Sequence, residues 1–279
     1  MSRLTEKIGR WQPQPNDRFY RMIVHTGQAL RFVFRIRVIV SGQENLLPAG
    51  PLNGRSRRPV PGQGAVVAIT HFGYLDFAFA ELVLWRHARA QMRFLVTKGA
   101  AAHWFAGPAI RAAGHVVVDR SAGSAAYQGA LEKLKAGEYV AILPEAGVSR
   151  SYTVRELKTG AVRLAAEAGV PILPMSVWGS HRFMSRGHKL SLKAIFRAPV
   201  RVHISPPIWH GADADVVKET EQLRAELQDG IDRGIANFPL VPEPGAWWHP
   251  APLGGGAMTE EERIAADAHD KATGRHERQ

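Results

Sequence analysis

The sequence predicts an α/β protein, with a mostly parallel central sheet flanked by helices and an amphipathic helix ahead of it. Three observations carry that expectation. From Ala65 onward, short apolar runs alternate with longer segments of helical period. The run Ala65–Ile69 is apolar throughout, as a strand buried on both faces should be. Cap residues punctuate the helical segments: Ser124 opens one, and Gly137 and Gly169 close two.

Taken in order, residues 1–16 are polar and punctuated by prolines, and read as a loosely held arm. Residues 17–35 read as a helix capped by Asn16 or Asp17. One side of its wheel carries Phe19, Tyr20, Met22, Ile23, Ala29, Leu30, Val33 and Phe34. The other carries Arg21, His25, Gln28, Arg31 and Arg35, while Val24 and Phe32 break the division. A basic, aromatic-bearing helix of this kind either lies in a membrane interface or packs on a core with its basic face in water. The residues 35–40 alternate as a strand, and residues 41–64 form a Pro- and Gly-rich loop carrying Arg55, Arg57 and Arg58.

Strands are then expected at Ala65–Ile69, Arg93–Val96, His115–Val118, Tyr139–Leu143, Ile172–Trp178 and Val200–Ile204. Helices are expected over Asp76–Ala90, Ala101–Ala113, Ser124–Ala136 and Val154–Ala168, and behind Asp213 or Asp215, where Val216, Leu223, Leu227, Ile231 and Ile235 keep helical spacing. The chain after Pro239 reads as an extended or disordered tail, with a short helix as the alternative beyond residue 258. The organisation is thus an arm and helix over 1–35, an α/β domain over 36–238 and a tail over 239–279.

With 279 residues the chain can bury a substantial core. Its 36 Lys+Arg against 25 Asp+Glu leave a net charge of +11, which favours anionic partners. The absence of cysteine excludes disulfides, zinc–thiolate sites and thiol nucleophiles. No apolar run approaches the ~18 residues that a membrane span needs, and the first fifteen residues lack the apolar core of a secretory signal. Aromatics interleaved with basic residues on strands, which a nucleic-acid binder would want, are missing.

In a parallel sheet the strand ends share one edge, and ligands bind there. The residues following the strands are Thr70-His71, Thr97-Lys98, Asp119-Arg120, Pro144-Glu145 and Trp178-Gly179-Ser180-His181-Arg182. Asp76 lies five residues after His71, an offset of about 500° on a helix, so the two meet only across a turn. Gly73 supplies a turn residue. A carboxylate beside an imidazole makes a directed general base. Lys98, Arg120, Arg150 and Arg182 would form a cationic bowl for a phosphorylated or carboxylated substrate. There is no Gly-x-Ser-x-Gly elbow, no P-loop, no dinucleotide fingerprint after a strand and no metal-ligand spacing. What remains is a base that activates a hydroxyl on a bound anionic substrate.

His71-Phe-Gly-Tyr-Leu-Asp76 resembles the H-x4-D block of the glycerophospholipid acyltransferases, the family of 1-acylglycerol-3-phosphate acyltransferases. Gly114 to Arg120 resembles the second block of that family, Pro144-Glu145 the start of the third and Val170-Pro-Ile-Leu-Pro174 the fourth, in order across about residues 35–205. The third block departs from the pattern. The chain reads Glu145-Ala-Gly-Val-Ser-Arg150, with the arginine displaced by two, and resembles a variant, actinobacterial branch.

The resemblance implies that His71 deprotonates an acceptor hydroxyl and that Asp76 orients and charge-stabilises it. It implies Arg120 as a ligand of the acceptor phosphate and Glu145 as part of the acceptor site. Lys98, Arg150 and Lys158 are further substrate-binding candidates, and Pro174 shapes a strand end. No cofactor is implied. It implies acyl-CoA or an acyl carrier protein as co-substrate and a lysophospholipid such as 1-acylglycerol 3-phosphate as acceptor. The alternatives are another acceptor (glycerol 3-phosphate, a glycolipid or another lysolipid) or a lipid-binding protein without catalysis. A lysophospholipid lives in a bilayer, which adds weight to the interfacial reading of residues 17–35. The resemblance therefore implies a cytoplasmic protein held peripherally on an anionic membrane surface, the inner face of the plasma membrane.

Overall fold

The computed structural model describes residues 17–47, 50–53, 56–57, 59–97, 113–118, 123–211 and 213–273. The arm expected over 1–16 lies outside these residues, as do Arg55, Arg58 and the helix expected at 101–113, but for its last residue.

The first helix, α1 (Asp17–Val33), ends where Arg35 takes a left-handed φ of 54°. The Ile36 N–H then reaches back to the Arg31 carbonyl and the Arg35 N–H to that of Phe32, closing the helix two residues before the expected end. After it come β1 (Arg37–Ser41), a small antiparallel hairpin of β2 (Leu52–Asn53) and β3 (Ser56–Arg57), and β4 (Ala65–Ile69). Next are α2 (Asp76–Ala88), β5 (Met92–Thr97), β6 (Val116–Val118), α3 (Gly123–Lys135) and β7 (Tyr139–Ile142). The chain continues through α4 (Gly160–Ala168), β8 (Ile172–Trp178), the one-turn α5 (Leu192–Ile195), β9 (Pro199–Ile204), α6 (Val216–Ala236) and α7 (Glu260–Ala272).

Among the described residues, seven strands form the main sheet in the order β1-β9-β8-β4-β7-β5-β6. Every pair is parallel except β8 with β9. Strands β4 to β8 therefore end at one edge, and β1 and β9 begin at that same edge. The sequence pattern named neither this reversal nor the hairpin.

Period-two alternation in β4 divides the core. Val67 and Ile69 pack with Phe79, Val83 and Leu84 of α2 on one face. Val66 and Ala68 pack on the other with Leu131 and Leu134 of α3, Val162 of α4 and Leu223, Leu227 and Ile231 of α6. All five residues of β4 and all seven of β8 are buried. Each large apolar side chain buried this way contributes about 1.5–3 kcal/mol. Asp215 caps α6 by accepting from the Val217 and Lys218 amides at 3.1 and 3.2 Å.

Two expectations change, and an open alternative is decided. Helix α4 begins at Gly160 rather than Val154, because the preceding amides are engaged elsewhere: Val154 N–H donates to Gln228 at 2.8 Å and Lys158 N–H to the Pro144 carbonyl at 2.9 Å. The face of α1 turned to the core holds Tyr20 and Val24, so Val24, which broke the wheel, belongs inside. Met22, Ile23, Leu30, Phe32 and Val33 are exposed. In the tail, of the two alternatives beyond residue 258 the structure has the short helix, over 260–272, opened by a Thr259–Glu262 capping box. It is tied to the α/β unit through Asp267 and Asp270.

Candidate active site

His71 stands at the end of β4, between the ends of β7 and β8. The turn Phe72 to Leu75 returns the chain into α2, and Asp76, its first residue, holds that turn closed. Asp76 Oδ2 accepts the Phe72 and Gly73 amides at 2.6 and 2.8 Å, and Oδ1 accepts the Ser180 hydroxyl. From the connection after β8, the Ser185 hydroxyl donates to the Phe72 carbonyl at 2.6 Å and the Met184 carbonyl accepts from Tyr74 N–H at 3.1 Å. From the loop after β7, Glu145 Oε1 accepts the His71 amide at 2.7 Å and Oε2 the Arg155 amide at 3.1 Å. The Ser149 amide donates to the His71 carbonyl at 2.9 Å. Both polar groups of the His71 backbone are thus fixed by one neighbouring loop.

Gly73 is needed for close approach. A Cβ there would lie 2.6 Å from His181 Cα and 2.8 Å from its nitrogen. Gly73→Ala is therefore expected to destabilise the fold by about 1–3 kcal/mol and to move the His71 turn. Urea unfolding checks the first effect, and a wild-type midpoint would refute it.

Burial pushes the His71 imidazole down to about 4; the Gly73 backbone opposes this and the Arg155 charge adds to it. Its Nδ1 is buried and finds no well-aligned hydrogen-bond partner among the described residues. The ring is therefore neutral at physiological pH, the form a general base needs. Burial raises the Asp76 carboxyl to about 7 against its amide and Ser180 hydrogen bonds. Glu145 is likewise raised to about 7 by burial, opposed by the His71 and Arg155 amides. Beside His71 opens a cleft of about 600 Å³. Its walls include Tyr74, Phe94, Leu95, Ile142 and Leu143, together with Arg186, whose guanidinium is paired with Asp270 and Asp267. An apolar-walled cleft beside a neutral base suits an amphiphile bearing a hydroxyl.

The structure brings His71, Asp76 and Glu145 together, but in a different relation from the one the sequence implied. Asp76 spends its hydrogen bonds on the turn and Ser180 rather than on the His71 ring. Glu145 is buried and braces backbone rather than facing the cleft. Arg150 pairs with Asp267 at 2.8 Å and Asp270 at 3.1 Å of α7, so the cationic bowl does not receive it as a free charge. Arg182 lies over the Trp248 ring at 4.7 Å, packed on the C-terminal segment. Lys158 is exposed near the end of β7. Lys98 and Arg120 lie outside the described residues.

Sequence reasoning missed Ser149, Ser185, Arg155 and Arg186. Ser180 was visible in the ending after β8, but its 104-residue separation from Asp76 hid their contact. Arg186 pairs with Asp270 at 2.8 Å while lining the cleft. No motif marks it.

The sheet and the strand-end histidine define a class, α/β proteins built to present a base beside an apolar cleft. The model of the Acyltransferase family matches residues 37–178, and the chain belongs to that family, the glycerophospholipid acyltransferases. It is similar to the chloroplastic 1-acyl-sn-glycerol-3-phosphate acyltransferases of Arabidopsis thaliana, 32% identical over 102 residues, and Brassica napus, 33% identical over 102 residues. Each match covers 37% of this chain but only 27% and 28% of those relatives, about a quarter of their length. The crystal structure of the 1-acyl-sn-glycerophosphate acyltransferase PlsC from Thermotoga maritima shares the fold, with a TM-score of 0.58 at 20% identity. It covers 79% of this chain and 81% of that one.

Proposed function

We propose that the protein is an O-acyltransferase that moves a fatty acyl group from acyl-CoA, or an acyl carrier protein, to the free hydroxyl of a lysophospholipid such as 1-acylglycerol 3-phosphate. The observation that carries this is His71: a neutral imidazole, its backbone clamped by Glu145 and Ser149, beside an apolar cleft. The names of the relatives support the same acceptor.

His71 takes the proton of the acceptor hydroxyl as its oxygen attacks the thioester carbonyl. The new C–O bond forms, the C–S bond breaks, and the departing thiolate takes up the proton. Asp76 and Glu145 position the base, and ionised Asp76 adds a negative charge near the forming imidazolium. The resemblance of the sequence blocks supports Arg120 and Lys98 as ligands of the acceptor phosphate. No described helix is long and apolar enough to cross a membrane. The exposed apolar residues of α1 support reading it as the interfacial foot of a peripheral protein on the inner face of the plasma membrane.

The test is purified protein with palmitoyl-CoA and a panel of lysolipids, glycerol 3-phosphate and a glycolipid, following thiol release and lipid product together. Stoichiometric product from 1-acylglycerol 3-phosphate is expected. Product from another acceptor alone would replace the acceptor named here, and no acyl transfer across the panel would overturn the proposal.

A further inference from the structure

The geometry points to the connection between β8 and β9, Lys189 to Arg197, as a second membrane-inserting element beside the end of α1. Its occupant is an anionic bilayer. The segment reads Lys-Leu-Ser-Leu-Lys-Ala-Ile-Phe-Arg. Leu190, Leu192 and Phe196 turn outward, as do Leu30, Phe32 and Val33 of α1, and these six side chains are between 51% and 79% exposed. An apolar collection of this kind on a protein surface marks an interaction site.

The two elements are held side by side. Arg197 N–H donates to the Phe34 carbonyl at 2.8 Å and Arg37 N–H to that of Ala198 at 2.8 Å. Ile195 of α5 lines the same cavity, about 240 Å³, as Ile23 and Leu30 of α1. Because β1 and β9 begin where β4 ends, both elements sit at the sheet edge that carries His71. The same connection clamps the His71 turn through Met184 and Ser185. Seating it in lipid would therefore bring the reactive edge to the bilayer.

Charge selects the occupant. Lys189, Lys193 and Arg197 are exposed and interleaved with the outward apolar side chains. In a bilayer, Leu and Phe enter the acyl boundary while the long cationic side chains reach headgroup phosphates. A two-fold contact with a second copy of the chain would instead set these cations against their own counterparts.

The absence of cysteine makes the test clean. Leu192→Cys is labelled with an environment-sensitive fluorophore, and Val217→Cys, exposed on α6 across the sheet, serves as control. With phosphatidylcholine vesicles doped with phosphatidylglycerol, the label at position 192 should brighten severalfold and shift to the blue, and the label at 217 should not. A water-like label at 192 on protein that co-sediments with the vesicles would overturn the assignment. So would a shift that follows protein concentration without lipid, since it would give the face to self-association. Leu192→Ser with Phe196→Ser should weaken co-sedimentation about tenfold or more with an unchanged unfolding midpoint, and unaltered binding counts against the proposal. The binding measurements are independent of the acyl-transfer reading. A protein that inserts but acylates nothing fails that reading alone. In an active protein, the double variant should lose activity on vesicle-borne acceptor and keep it on a short-chain, monomeric one.

Discussion

His71→Ala is expected to lower kcat by about 10²–10⁴-fold, the range for removing a positioned general base, with little change in the acceptor KM. The buried ring nitrogen meets the Gly73 backbone without a well-aligned hydrogen bond, and the well-formed clamps of the turn run through the His71 backbone amide and carbonyl. Removing the imidazole therefore deletes chemistry while leaving the Glu145 and Ser149 contacts in place, and the unfolding midpoint should move little. Steady-state rates of thiol release across acceptor concentrations give the check. Equal release by wild type and variant would remove His71 from the mechanism. A large rise in KM at constant kcat would make it a binding group. In the wild type the pH profile should not follow the imidazole alone, because the ring is already neutral above about 4. The rising limb of kcat/KM should fall near pH 7, where the buried carboxyls ionise.

The fold was largely legible because its signals are local. Unbroken apolar runs such as Ala65–Ile69 could only be strands buried on both faces, and Asp215 and Gly169 sit at the helix ends they announced. What the sequence hid is what tertiary contact decides. The direction of β9 follows from pairing with β8, and nothing in Val200–Ile204 encodes it. Val24 looked misplaced on its wheel because the core-facing stripe of α1 is narrow, reduced to Tyr20 and Val24. Most of the apolar wheel was not turned inward at all. At the site, His71, Asp76 and Glu145 were identifiable as a group, but their hydrogen-bonding roles were not. Spacing can say that two side chains meet; it cannot say that a carboxylate will choose backbone amides over an imidazole. Arg150 illustrates the same limit, since its partners Asp267 and Asp270 come from a helix more than a hundred residues later.

Asp76 combines a positioning role with a charge, and two substitutions separate them. Asp76→Ala leaves the Phe72 and Gly73 amides and the Ser180 hydroxyl without their acceptor in a fully buried place. At roughly 1–3 kcal/mol for each orphaned buried group, several kcal/mol of stability should be lost, together with all measurable transfer. Asp76→Asn keeps an oxygen for the two amides, and its NH2 can donate to Ser180, whose hydroxyl turns to accept. The turn should therefore survive, while kcat falls by about 10²-fold for want of a charge near the imidazolium and the limb near pH 7 flattens. Stability supplies an independent reading. The folded carboxyl titrates at about 7, against an ordinary value of 3.8. Its contribution is therefore fully present below the ordinary value and is lost as pH rises through about 7. Asparagine does not titrate. Urea unfolding at pH 5 and pH 8 should show the wild type losing ground to Asp76→Asn at the higher pH. A difference that stays flat between the two would mean that Asp76 is ionised throughout, and its charge would then be available to His71 at every pH where the enzyme works.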